Sequence, residues 1–138
     1  MEIRPLTDEF AVSPQVDPDH MHEVAGAGFR AVLCNRPDGE EPGQCDYDSV
    51  ARAAEAEGLQ VRWVPIVSGR MTQEALDDFR DALEEMPKPL LAYCRTGTRC
   101  TMLWAITQHG RVDDDEIVRR AADAGYDVAG LIAQLAVR

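Results

Sequence analysis

Two rhythms of apolar and polar positions alternate along this chain, and glycines and prolines mark most of the switches between them. The strongest apolar runs are short. Phe29-Arg30-Ala31-Val32-Leu33-Cys34 and Leu90-Leu91-Ala92-Tyr93 are nearly continuous, and Leu59-Gln60-Val61-Arg62-Trp63-Val64 alternates, so each predicts a strand. Residues 2–13 predict one or two further short strands, with Ala11-Val12-Ser13 the better candidate. Helical patterns lie between. Asp17-Pro18 combines an N-cap with a proline at the first helical position and predicts a helix to about Ala27, ended by Gly28. Asp46 to Glu57 is helical by composition, with Gly58 as its stop. Thr72-Gln73-Glu74-Ala75 is close to a capping box and opens a helix to about Met86, which Pro87-Lys88-Pro89 breaks. Helices are predicted at about 100–109, 113–124 and 128–137.

Strands alternating with helices imply an α/β fold in three layers, a mostly parallel sheet flanked by helices. The length of 138 residues fits a single domain over 1–138, without repeats, low-complexity tracts or linkers. In such sheets ligands bind beyond the C-terminal ends of the strands. Three loops are expected there, 35–45, 65–71 and 94–99. Arg36 and Ser68 on the first two are therefore candidate substrate contacts.

Composition narrows the classes. Apolar residues make up 45%, ordinary for a globular protein. No run reaches the roughly 18–20 apolar residues of a membrane span, and the start MEIRPLTDEF lacks a basic-then-apolar signal pattern. The cysteines are Cys34, Cys45, Cys94 and Cys100; with nothing else suggesting secretion, free thiols in a reducing cytoplasm are expected. The net charge of −11 argues against a nucleic-acid partner and against an anionic membrane surface. His20, His22 and His109 have no metal-ligand spacing with the cysteines, so neither metal nor cofactor is expected. Cys34 reads as core, Cys45 as an exposed loop thiol, and Trp63 and Trp104 as packing residues.

Against this acidic background the segment LLAYCRTGTRCT, residues 90–101, carries the chemistry. An apolar strand ends on Cys94. Arg95, Thr96, Gly97, Thr98 and Arg99 follow, and Cys100 opens a helical pattern. Backbone N–H groups of such a loop, with the positive end of the next helix, form a cradle for anions. The same field favours thiolate over thiol, and the thiolate is the nucleophile. Arg99 adds a forked cation suited to phosphate, sulfate or thiosulfate oxygens. A cysteine enzyme acting on a small anionic group is expected, with Cys94 and Arg99 catalytic and Arg95, Thr96, Gly97, Thr98 and Cys100 completing the anion-binding loop. A small buried hydrophobe at Cys94, in a domain that only binds anions or a partner, is the bland alternative.

CRTGTR resembles the rhodanese loop, Cys-x-x-Gly-x-Arg. It also resembles the cysteine-to-arginine loop of protein tyrosine and dual-specificity phosphatases, which has five intervening residues rather than four and a histidine where Tyr93 stands. The general acid of those phosphatases is an aspartate on an upstream loop; the matching segment here, VPIVSG, has no carboxylate between Pro65 and Thr72. Most of the chain resembles a narrower family through MEIRPLTDEFAVSPQ, NRPDGEEPGQ, VPIVSGRMT, AYCRTGTRCTMLWA and AADAGYDV. It is the phosphatase-like domain at the N-terminus of beta-lactamase-hydrolase-like proteins, also described as a sulfur transferase family. The resemblance implies a cysteine-phosphatase-like fold, free-standing or fused to sulfide- and persulfide-handling modules. That family usually has Ser where this chain has Cys100, which either replaces it or acts as a resolving thiol for Cys94. The expected reaction is sulfur transfer from thiosulfate or a persulfide, through a Cys94 persulfide, to a low-molecular-weight thiol such as glutathione. The alternative is hydrolysis of phosphate monoesters through a Cys94 thiophosphate.

Overall fold

The computed structural model describes residues 1–137. Five strands form one sheet: β1 (Arg4–Pro5), β2 (Phe10–Ser13), β3 (Ala31–Cys34), β4 (Gln60–Trp63) and β5 (Leu90–Tyr93). Their order is β1-β2-β5-β3-β4, with only β1 antiparallel to its neighbour. The helices are α1 (Met21–Gly26), α2 (Tyr47–Ala56), α3 (Gln73–Glu85), α4 (Thr98–Gln108), α5 (Asp114–Asp123) and α6 (Ala129–Ala136), with a 3-10 turn at Pro18–His20 before α1.

Period-two burial divides the core into two layers. Leu90 and Ala92 of β5 face Phe79 and Ala82 of α3, Leu103 of α4, Ile117 of α5 and Ile132 of α6. Leu91 and Tyr93 face Met21 and Val24 of α1 and Val50 and Ala54 of α2. The three-layer, mostly parallel α/β reading is therefore the observed fold. α4 contacts α3, α5 and α6 and buries residues on most of its circumference, including Cys100, Leu103 and Trp104, as a helix enclosed by others must.

Local signals set several boundaries. Thr72 Oγ1 accepts the Ala75 N–H at 3.1 Å, and Asp46 Oδ1 accepts the Ser49 N–H at 2.9 Å. Gly28 closes the first helical segment with φ +98°. Two expectations need correction. Trp63 is 39% exposed, because β4 is an edge strand; its ring stacks on Tyr47 with centroids 5.0 Å apart. α4 starts two residues before the expected Cys100, because Gly97 adopts φ 89° and turns the chain into the helix at Thr98.

The four parallel strands end level: Ser13 and Cys34 both pair with Tyr93, and Cys34 pairs with Trp63. The residues that follow form a single rim. Asn35 stitches it, donating its N–H to Tyr93 O at 2.8 Å and Nδ2 to Val64 O at 2.9 Å, and accepting the Ile66 N–H at 3.0 Å.

Candidate active site

Cys94 follows β5 on the rim, 1% exposed, on the face covered by α4. Tyr93 points the opposite way, against Cys34, and its phenol is pushed well above its ordinary range by burial. The Gly97 N–H donates to Cys94 Sγ at 3.1 Å. The loop is braced from three sides. Thr101 donates its N–H and its Oγ1 to Gly97 O at 3.0 and 2.8 Å. The Tyr126 hydroxyl donates to Thr96 O at 2.8 Å, and the Gln15 N–H to Arg95 O at 3.2 Å. A Cβ at Gly97 would overlap the Tyr126 hydroxyl, so glycine is required there for space as well as for φ.

The Cys94 thiol is lowered from an ordinary 9.0 to about 5. The Cys100 thiol hydrogen-bonded to it is the main cause. Burial opposes the shift, and the N–H groups of Cys100, Thr96 and Gly97 assist it. Cys100, fully enclosed, moves the other way, pushed well above its ordinary value by burial and by the neighbouring thiolate. All four cysteines are free thiols. Cys34 is core, and Cys45, half-buried, donates to Asp17 Oδ1 at 3.3 Å.

Arg99 lies in the first turn of α4. Its Nη1 donates to Glu40 Oε2 and to Ile66 O, both at 2.7 Å, and its Nη2 donates to Glu40 Oε1 at 2.7 Å. Those bonds occupy three of the five N–H groups of a guanidinium. The Nε edge is left for an incoming oxyanion. Glu40 is held at about 2 by Arg99, against the cost of burial and with help from Arg36.

Arg36 is placed differently from its sequence-based role. It is 1% exposed, and its Nε, Nη1 and Nη2 donate to Glu40, Gln15 and Glu41 at 2.9, 3.0 and 3.1 Å. It shares Glu40 as a partner with Arg99. Ser68 and Arg95 line a mouth of about 420 Å³ together with Arg36, Glu40, Glu41 and Arg99. The structure thus gathers Cys94, Arg95, Thr96, Gly97, Thr98, Arg99, Cys100 and Ser68 around one rim. Sequence reasoning missed Glu40 and Tyr126. Both lie inside stretches it had singled out, NRPDGEEPGQ and AADAGYDV, and only side-chain geometry shows what they touch. The loop between β4 and α3 carries no carboxylate, but the loop after β3 brings Glu40 and Glu41 to the mouth. A thiolate under N–H donors with a forked cation beside it can form a covalent adduct with an anionic group and stabilise the charge that develops.

A cysteine closing a central parallel strand, with an arginine in the first turn of the next helix, belongs to a cysteine-phosphatase-like fold. A candidate phosphatase from Neisseria meningitidis has this fold with 32% identity and a TM-score of 0.87, covering 98% of this chain and 96% of that one. Tk-PTP in its active form shares it with 20% identity and a TM-score of 0.65, covering 98% and 93%. Residues 2–111 match the phosphatase-like domain of beta-lactamase hydrolase-like proteins, and the chain belongs to that family. A beta-lactamase hydrolase-like protein of Xylella fastidiosa strain Temecula1 is 31% identical over 137 residues, 98% of this chain and 32% of the relative. The chain therefore spans about a third of the length of that curated relative. No described helix is long and apolar enough to cross a membrane.

Proposed function

We propose that the chain is a cysteine-dependent phosphatase acting on phosphate monoesters. The observation that carries this reading is the Cys94 thiolate, lowered to about 5, beneath the Gly97 N–H and beside an Arg99 whose Nε edge is uncommitted. The thiolate attacks phosphorus, the ester oxygen leaves, and a Cys94 thiophosphate forms; water then releases phosphate and restores the thiolate. The N–H cradle and Arg99 stabilise the equatorial oxygens in both steps. The family and the Neisseria relative support this order of readings. No carboxylate lies in 65–71, and the two that reach the mouth from the loop after β3, Glu40 and Glu41, are held in ion pairs with Arg99 and Arg36. Glu40 is ionised while it pairs with Arg99 and donates no proton, so at equal binding an ester with a more stable leaving anion turns over faster. The reaction is assigned to the cytoplasm, where four free cysteines remain reduced.

Sulfur transfer is the second reading. Two observations favour it: the Cys100 thiol against Cys94, and the four-residue span between Cys94 and Arg99. Here the thiolate attacks the outer sulfur of thiosulfate, sulfite leaves, and a thiol such as glutathione takes the sulfur from the Cys94 persulfide. A paired assay separates the two. Phosphate release from an aryl phosphate, abolished by Cys94→Ser, is the expected result. One added sulfur on Cys94 after thiosulfate, removed by glutathione and with no phosphate release from the ester, would reverse the order.

A further inference from the structure

The cysteine loop opens onto far more space than a phosphate needs. A cavity of about 750 Å³ extends from Arg95 and Arg99 between the β4–α3 loop, α4 and α6. Cavities of roughly 300–1,000 Å³ enclose whole organic ligands. Its apolar wall is Ile66, Val67, Met71, Met102, Ile106 and Leu131. Met102 and Ile106 are four residues apart and share one face of α4, with Leu131 of α6 also on the wall. Val67 is 51% exposed, and Met71, Met102, Ile106 and Leu131 are only half-buried. Contiguous apolar side chains left facing water beside a nucleophile mark a binding groove rather than unfinished core.

The wall has a definite chemistry. No aromatic residue lines the cavity among the described residues, so it has no ring to stack on or meet edge-on with an aryl group. Methionine and branched aliphatic side chains adapt to a flexible chain. Charge fixes the direction. Arg95 and Arg99 stand at the end nearest Cys94, and the Arg95 guanidinium makes no hydrogen bond or ion pair among the described residues. An anionic head is drawn to that end alone.

We propose that the groove selects an aliphatic phosphate monoester, with its phosphate on the Cys94 loop and its alkyl chain along Met102, Ile106 and Leu131. The choice of reaction rests on the phosphatase reading; the shape of the ligand rests on the groove.

The test is a series of ethyl, butyl, hexyl and octyl phosphates below their micellar concentrations, whose leaving groups are nearly alike, with phenylphosphonate as the aromatic control in a protection experiment. kcat/KM should rise about fourfold per methylene until the groove is filled, the factor expected for moving each CH₂ out of water. Hexylphosphonate, which has no leaving group, should protect Cys94 from iodoacetamide better than phenylphosphonate, although both carry six carbons. Leu131→Gln should lower the octyl-to-ethyl ratio about tenfold, and a ratio within one variant does not depend on how much of it is folded. The matching alkylphosphonates, which cannot be hydrolysed, should protect Cys94 from iodoacetamide more strongly as the chain lengthens. Protection that grows with chain length while no ester is hydrolysed would keep the groove and remove the phosphatase reading. A flat series in turnover or in protection overturns the groove, and phenylphosphonate protecting Cys94 better than hexylphosphonate overturns its aliphatic character.

Discussion

The loops after β3 and β5 leave adjacent strands at the same level, and each brings an arginine to the rim, yet the two arginines do different work. Arg36 is 1% exposed, and each of its three nitrogens donates to a side chain, Glu40, Gln15 or Glu41. Arg99, with a side chain 11% exposed, commits one edge to Glu40 and Ile66 and keeps the other. Residue type and loop position are alike; the number of committed donors separates them. An arginine with every nitrogen engaged builds the site, and one with an open edge beside a thiolate can meet a substrate. Glu40 joins the two, accepting from both.

The largest effects should fall on the β5 loop and leave the scaffold intact. Cys94→Ser removes the nucleophile with little change in shape and should lower kcat/KM by about 10³-fold or more. Its urea midpoint should stay near that of the parent chain. Arg99→Lys should lower kcat/KM by about 10²-fold, because a point charge cannot span Glu40 and an oxyanion at once. Arg36→Met should reverse the pattern. It leaves Glu41 without its cation and Glu40 with Arg99 alone, and should cost about 2–4 kcal/mol, short of a fully buried pair because Glu41 stays half exposed. Kinetics and urea melts of the three variants test the distinction. Equal losses of stability in Arg36→Met and Arg99→Lys would break it.

The sequence carries the nucleophile's setting better than its partners. Leu90-Leu91-Ala92-Tyr93 is apolar throughout because β5 is covered on both faces, and every one of the four is buried. That pattern, followed by Cys94, Gly97 and Arg99, places the cradle without a structure. Strand alternation shows which face a residue takes, but not whether its strand lies at an edge, so Trp63 reads as core and proves half exposed. Glu40 sits in a polar loop where a carboxylate looks like surface charge. Its partner Arg99 is 59 residues away, a pairing that no local spacing encodes. Arg36 reads as a substrate contact for the same reason: its burial depends on Gln15, Glu40 and Glu41 converging in space.

Acidity offers a sharper separation of the loops. Cys94 titrates near 5, so its thiolate is present above that pH and disappears as the pH falls through it. Glu40 titrates near 2 when folded, below its ordinary 4.5. The stability of its ion pairs is therefore complete above about 4.5 and is lost progressively as the pH falls from there through about 2. Iodoacetamide labelling of Cys94, followed by mass spectrometry, should rise with a midpoint near 5, whereas an ordinary thiol rises near 9.0. Glu40→Gln should leave that midpoint in place, since Glu40 is not among the groups that lower Cys94. It should still reduce kcat/KM by about tenfold, because a neutral amide holds Arg99 less firmly. A Glu40→Gln midpoint displaced towards 9.0 would show that the two loops act as a single electrostatic unit.

The smallest effect tests whether the β5 loop also needs support from behind. Tyr126 lies beyond α5, and its hydroxyl reaches Thr96 O at 2.8 Å, while its ring packs under the Arg4 guanidinium at 5.2 Å. Tyr126→Phe keeps the ring and its cation and deletes only the hydroxyl. One hydrogen bond to a partly buried carbonyl should cost about 1 kcal/mol of stability. If the hydroxyl only anchors the C-terminal helices, kcat/KM will not change. If it also holds Thr96 and Gly97 in the cradle, kcat/KM should fall about threefold while KM stays constant, because the Gly97 N–H that supports the thiolate would move. The second outcome is expected, since Gly97 has no room for a Cβ beneath that hydroxyl and the two groups are already in close contact.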